Sequence, residues 1–566
     1  MKFACAITAG LLLFISLWRP AEVSASPVLL SFDVEEPGDE LALRRLDVKV
    51  PATYFITGAF AENHRELVAA LSKGDNTIGS HSYNHPHFRS LAPDSIRQEL
   101  ALSKQLIESI SGKPVEWFRA PYLEYDERVL QSLRETGYLG DSSDKDSWAD
   151  QAVIFEMPIS NFRDSSLIAS DYDMLEEGHD SGSQFRDTLR KMYFEKARNG
   201  QPLVVLLHPS VCSKQIESLN EFISSVRKSG ATFMSLDGYL SSLQQHRPLR
   251  RAAWLDAENP GNPASTAEAL SRLGTTDVFL MATDASGKSC FSNPDGRDRF
   301  GRTVASLKSK GVKVHAWISV LADRKALEQH PEWGMISKTG TRSTEWMSPA
   351  IPEVVRHVAA TMRRLMKEYQ LDGICMDNLA FPNAEFDYLP EIVKAYAQHE
   401  KLNHLPPLTE LMNDDYTSWC EWRSTVIADL AGKLRKAAMP AGKHRVEFST
   451  VVPGNSAINY REPEITGQNV ALLSQSVDLI IADMPSNQEA DTEKIALKRL
   501  ALQVRAGDKP VLFRLSESAD HRASTHETLS MPAGKLAKGS DGVTLLPRSS
   551  QGALENFRQM FAGSTE

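Results

Sequence analysis

Val28-Leu29-Leu30-Ser31-Phe32 runs directly into Asp33-Val34-Glu35-Glu36, an apolar strand pattern that ends in a cluster of acids. The same arrangement returns along the chain as His81-Ser82-Tyr83-Asn84-His85, Phe118-Arg119-Ala120-Pro121-Tyr122, Asp141-Ser142-Ser143 and Leu206-Leu207-His208-Pro209, each at the end of an apolar run. Polar clusters at strand ends gather at one mouth of an α/β scaffold. Carboxylates, histidines and an arginine brought together there are the inventory of a metal-assisted hydrolase.

Between these clusters the pattern changes period. Ile96, Leu100, Ser103, Ile107 and Ile110 fall three or four apart, which predicts a helix with Arg97, Gln98, Lys104 and Glu108 on its wet face. Alternation of strands and helices calls for a largely parallel sheet or barrel over a first domain, residues 26–243. A polar, basic stretch with a proline, 244–251, reads as a linker. A second series follows in 252–555, with strands expected at Ala252–Leu255, Asp277–Met281, Lys313–Ile318, Gly373–Met376, Arg445–Phe448, Leu479–Ala482 and Lys509–Phe513, and an eighth near Val543–Leu546. That count fits a (β/α)₈ barrel.

Composition limits the function classes. With 566 residues, 42% hydrophobic and 24% charged, the chain is globular and long enough for two or three domains. A net charge of -10 excludes a general attraction for nucleic acid or an anionic membrane. Residues 1–25 read as an export signal: Lys2, an apolar run from Ala6 to Trp18, and Val23-Ser24-Ala25 before a cleavage point. The run is shorter than the ~20 residues of a spanning helix, so no stable span remains after signal removal and the expected location is periplasmic or secreted. Cys212, Cys290, Cys375 and Cys420 are widely spaced and suggest no zinc knot. Cys375 reads as a buried strand residue.

His81 and His85 stand four apart, a spacing that puts both imidazoles on one side of a helical turn, and a carboxylate from the first strand completes a three-ligand site. A divalent metal so held polarises an acyl carbonyl and lowers the pKa of water, the two needs of amide hydrolysis. His64 and His87 lack such company and read as surface residues.

The series Ser31-Phe32-Asp33-Val34-Glu35, His81-Ser82-x-x-His85, Arg119-x-Pro121-Tyr122 and Leu206-Leu207-His208 resembles the NodB-homology polysaccharide deacetylases. The resemblance implies a distorted (β/α) barrel with fewer than eight full repeats, and removal of acetyl groups from a glycan. It implies Asp33 as general base, and His81, His85 and a carboxylate as ligands of a divalent metal, with zinc favoured. Glu35 is preferred as the acidic ligand and Glu36 competes, because Val34 separates base and ligand where the commonest pattern has adjacent aspartates. Arg119 is expected to pair with Asp33 and keep it ionised, the backbone N–H of Tyr122 to meet the oxyanion, and His208 to protonate the leaving amine. Asp141 is a candidate to support His208, with Asp144 and Asp146 equally close in sequence. Asp171-Tyr172-Asp173 resembles a cleft-lining acidic loop but reads equally well as a solvated one.

In the second series Asp256, Asp284, Asp377 and Asp483 follow strands, and Trp254, Trp317, Trp346, Phe381 and Tyr460 lie near strand ends. Paired carboxylates with aromatic platforms suit glycosidic bond cleavage. The segment Tyr369-Gln370-Leu371-Asp372-Gly373-Ile374-Cys375-Met376-Asp377-Asn378, preceded by Ser348-Pro349-Ala350-Ile351-Pro352, looks like the fourth strand region of glycoside-hydrolase-like barrels. It is similar to the second half of two-domain poly-N-acetylglucosamine deacetylases of biofilm export systems. Asp377 is expected as the main carboxylate, Asp372 as a turn residue, and Glu447 or Asp483 as the partner.

The expectation is an exported carbohydrate enzyme. Its first domain deacetylates an acetylated aminosugar polysaccharide, its second binds or cleaves the same polymer, and other exopolysaccharide export proteins are candidate partners. The alternatives are a peptidoglycan or chitin-type deacetylase with an accessory barrel and a noncatalytic polysaccharide-binding export factor.

Overall fold

In the computed structural model, which describes residues 26–144, 154–162, 167–198, 200–244, 250–257, 262–291, 298–411, 416–439, 446–454, 456, 461–485, 501–507, 509–516 and 542–546, the first part of the chain is built on one parallel sheet. Its strands are β1 (Pro27–Val34), β2 (Thr53–Ile56), β3 (Thr77–Ser80), β4 (Trp117–Phe118), β5 (Gly140–Asp141), β6 (Phe155–Glu156) and β7 (Leu203–Leu207). They lie in the order β6-β5-β4-β3-β2-β1-β7, and β8 (Thr232–Phe233) pairs with the start of β1. Among the described residues this sheet does not close, which makes it a distorted (β/α) barrel.

The pleat of β1 sorts its residues. Val28, Leu30, Phe32 and Val34 join the helix-side core with Ile96, Leu100 and Ile107. Leu29 turns the other way, into a cluster with Phe55, Trp117 and Val204. By the two-residue period Ser31 and Asp33 share that inner face above Leu29, so the interior has an apolar floor and a polar rim. The predicted helix runs over Pro93–Ser111, buries Ile96, Leu100, Ser103 and Ile107, and ends at Gly112 with φ 67°. Proline in its first turn and glycine past its end mark where it starts and stops.

The second part is a closed barrel of parallel strands. They are β9 (Arg250–Leu255), β10 (Asp277–Met281) and β11 (Lys313–Ser319), then an antiparallel ribbon outside the barrel, β12 (Gly334–Ile336) and β13 (Arg342–Met347). β14 (Gly373–Asp377), β15 (Glu447–Pro453), β16 (Leu479–Pro485), β17 (Val511–Ser516) and β18 (Gly542–Leu546) follow, and β18 closes on β9. Trp254, Phe279, Cys375, Val451, Leu479, Ile481 and Leu512 form an interior cluster. Side chains fill such a barrel and its rim at the C-terminal strand ends carries the chemistry.

Glu447 begins β15 and sits at the opposite end. Arg250 donates to it at 3.0 Å and also to Asp277 at 3.0 Å, where His315 bonds Asp277 at 2.9 Å. This removes Glu447 as a partner for Asp377, because the two lie at opposite ends of parallel strands. Asp372 accepts from Val314 N at 2.8 Å and from Lys308 at 2.7 Å, as expected of a turn residue.

Among the described residues no helix is long and apolar enough to cross a membrane. Cys212, Cys290, Cys375 and Cys420 are all buried. The expected export signal and Tyr460 lie outside the described residues.

Candidate active site

The mouth of the open sheet brings Glu35, His81 and His85 together, with their ligand atoms within 4.8 Å of one another. The histidines do not share a helical turn, as the spacing suggested. They follow β3 in a loop where Ser82 has φ 65° and His85 φ 58°, and two left-handed residues turn the chain back until the rings lie 4.9 Å apart. Ser82 Oγ accepts from the N–H of His85 at 3.0 Å, which holds that turn. His81 Nδ1 bonds the carbonyl of Arg119 at 2.8 Å, so this nitrogen carries the proton and Nε2 faces Glu35 at 3.5 Å and Asp33 at 3.7 Å. His85 Nε2 contacts the same Glu35 oxygen. Burial opposes ionisation of Glu35, but hydrogen bonds from His81 and His85 hold its carboxyl far below the usual range. Two imidazole nitrogens and one carboxylate suit zinc or a similar divalent cation. Glu36, exposed, stands apart from this group.

Arg119 is fully buried and each arm of its guanidinium has an acceptor. Nη1 donates to Asp33 Oδ1 and Ser31 Oγ at 2.9 Å, Nε to the Ser142 carbonyl at 2.7 Å, and Nη2 to Ser142 Oγ at 2.9 Å. The cation lies over the Phe55 ring at 4.3 Å. Gly79 makes room beneath that ring, since a Cβ there would meet Phe55 at 2.6 Å. Tyr122 has φ 57° and is 55% exposed, its ring stacked on His87 at 4.0 Å and edge-on to His85 at 4.6 Å.

His208, at the end of β7, is bound twice by Asp171. Nδ1 meets Oδ1 at 2.8 Å and the backbone N–H of His208 donates to Oδ2 at 2.8 Å. Burial alone would lower the pKa of His208, but the hydrogen bond and charge of Asp171 raise it to about 9, and Asp33 and Glu35 add to the shift. Asp171 itself is fully buried. Asp141 has a different task from the one expected. It accepts from Ser143 Oγ at 2.7 Å, Ser143 Oγ accepts from Ala120 N at 2.8 Å, and so it holds the Arg119–Ala120 segment. Asp171, whose loop read equally well as a solvated one, takes that place instead: an isolated parallel bridge, Ser170 to Leu206, carries it beside β7.

At the barrel rim Asp377 accepts from Trp317 Nε1 at 2.9 Å, Arg514 Nη1 at 3.0 Å and the Asn378 N–H at 2.8 Å. Arg514 Nε also donates to Asp483 Oδ1 at 2.8 Å, so one guanidinium joins two carboxylates from β14 and β16. Arg514 carried no signal in the sequence reading; it lies in β17, next to β16. Asp284 instead closes a turn, accepting from Ser286 N at 2.9 Å and Lys288 N at 3.0 Å. Of the aromatic candidates, Trp254 packs on Phe279 inside the barrel and Phe381 is buried under Arg423, so neither offers a face to a sugar. Trp317 and Trp346 remain half-buried, and Asp256 lies just beyond β9.

Comparison with known proteins agrees with both halves. Residues 22–140 match the polysaccharide deacetylase family model, and residues 282–504 match glycosyl hydrolase-like 10. The peptidoglycan-N-acetylmuramic acid deacetylase PdaA of Bacillus subtilis is 22% identical over 201 residues, 35% of this chain and 65% of that protein. A peptidoglycan-N-acetylglucosamine deacetylase of Bacillus cereus is 28% identical over 116 residues, 20% of this chain and 42% of that protein. The chain thus spans less than two thirds of either relative. The glycoside hydrolase domain of PgaB (BpsB) from Bordetella bronchiseptica aligns with a TM-score of 0.47 at 19% identity, covering 55% of this chain and 99% of that one. The first part of the chain thus matches the polysaccharide deacetylase model and the second the glycosyl hydrolase-like 10 model.

Proposed function

We propose that this is an exported, metal-dependent N-deacetylase of an acetylated aminosugar polysaccharide, with a deacetylase domain over 26–243 and a barrel over 252–555 that binds or cleaves the same glycan. The observation that carries the reading is the convergence of Glu35, His81 and His85 beside Asp33, with His208 within electrostatic reach of Asp33 and Glu35. Export to the periplasm or medium rests on the signal-like residues 1–25.

Glu35, His81 and His85 would hold the cation, zinc being favoured, and such a cation supplies Lewis acidity toward the acyl oxygen and water. Asp33, held in place by Arg119, takes the proton of the attacking water. The Tyr122 N–H, aimed by the turn after Pro121, meets the oxyanion. His208, protonated through Asp171, delivers a proton to the leaving amine.

In the barrel, three donors converge on Asp377, from Trp317, Arg514 and the Asn378 N–H. Asp483, on the same arginine and 32% exposed, is its partner at the rim. Tying both domains to one polymer raises its local concentration at each mouth.

The test is acetate release and chain shortening from acetylated glucosamine polymers with wild type, Asp33→Asn and Asp377→Asn. The reading expects the first variant to lose acetate release alone and the second to lose shortening alone. Absence of acetate release by the wild type would leave the noncatalytic export factor as the better account, and wild-type release by Asp33→Asn would remove Asp33 as the base. Peptidoglycan as the preferred substrate would select the accessory-barrel alternative.

A further inference from the structure

We infer that Asp39 is a positioning residue that holds the Glu35 arm and the His208 arm of the deacetylase mouth at one spacing. The inference rests on the proposed reading of that mouth. Asp39 is 1% exposed and opens the helix Asp39–Leu46. A first-turn aspartate commonly serves the N–H groups of its own helix or sits exposed near the positive end of the helix dipole. Asp39 does neither. Its Oδ2 accepts from the N–H of Glu35 and of Glu36, both at 3.0 Å, and its Oδ1 accepts from the N–H of Ser210 at 3.1 Å.

The three donors belong to two separate segments. Glu35 and Glu36 lie just past the end of β1, where the ladder no longer supplies acceptors, and Ser210 lies in the first turn of the short helix Pro209–Cys212, two residues beyond His208. Each of these N–H groups needs an outside acceptor, and one buried carboxylate provides it for all three. The side chain of Asp39 therefore sets how far the metal-ligand backbone lies from the acid-histidine backbone, without itself touching substrate or metal.

Asparagine has the same shape but replaces one acceptor oxygen with a donor. In Asp39→Asn an NH₂ group faces either the N–H pair of residues 35 and 36 or the N–H of Ser210, and one arm comes loose. Metal-free protein is titrated with Zn²⁺ against a competing chelator, and acetate release from an acetylated glucosamine oligomer is followed in parallel. Asp39→Asn is expected to weaken Zn²⁺ binding by about 10- to 100-fold, as loss of an outer partner does, and to lower kcat while KM stays near wild type. Glu35→Ala serves as the control for a lost ligand. A folded Asp39→Asn protein with wild-type Zn²⁺ affinity and kcat overturns the inference, even if its melting temperature has dropped. Should that variant not fold, Asp39→Glu, which keeps the charge and lengthens the side chain, is expected to show the same two defects. Wild-type values there overturn the inference equally. A wild-type protein that neither binds Zn²⁺ nor releases acetate removes the reading of the site, and the inference with it.

Discussion

His208 and Asp171 illustrate how one buried contact sets a working pH. The imidazolium is the form that can give a proton, and it persists to about pH 9 because Asp171 outweighs the effect of burial. Acetate release should therefore fall on the basic side as pH passes about 9. In Asp171→Asn that limb should move toward the ordinary histidine value of 6.5 or below, as seen in a pH–kcat profile. Stability has the same sign: a raised histidine pKa favours the folded state fully below pH 6.5, and the gain is lost as pH rises through about 9. Melting curves across that window should lose a stabilisation in wild type that Asp171→Asn lacks. Asp33 and Arg119 form a buried pair at 2.9 Å. Breaking such a pair by removing one charge costs about 3–5 kcal/mol, so Asp33→Asn should lower the denaturant midpoint as well as abolish acetate release.

At the scale of elements, strand ends do most of the positioning. β1, β3, β4 and β7 are each followed directly by a residue of the mouth, and β5 ends in Asp141, which braces the segment after β4 through Ser143. These junctions were legible because an apolar run followed by polar residues marks a strand leaving the core. The loops beyond them were not legible. His81 and His85 meet through left-handed residues in a non-helical turn, and no periodic pattern encodes such a turn. In the barrel, Arg514 joins β14 to β16 through their carboxylates. Arg514→Lys keeps the charge but cannot fork between two acceptors in one plane, so chain shortening should fall while acetate release is retained, measured on one polymer sample.

For the whole molecule, two mouths on one chain predict separable losses. Chelation should abolish acetate release, restored by added Zn²⁺, and leave chain shortening intact, because Asp377 and Asp483 are bound by an arginine and not by a metal site. The barrel interior is a packed core. Trp254 stacks on Phe279 at 4.7 Å beneath Arg514, and Trp254→Ala should cost about 3–5 kcal/mol, read as a lowered denaturant midpoint.

From the sequence alone, the two-part α/β architecture and the residues of the first mouth could be named, since hydrophobic period and strand-end chemistry are local properties of the chain. Only the tertiary structure decided that Asp171 and not Asp141 serves His208, that Glu35 and not Glu36 faces the histidines, and that Glu447 lies at the wrong end of the barrel for Asp377. Those outcomes depend on register between distant strands and on the direction a side chain leaves its backbone, and neither is written in the spacing of residues along the chain.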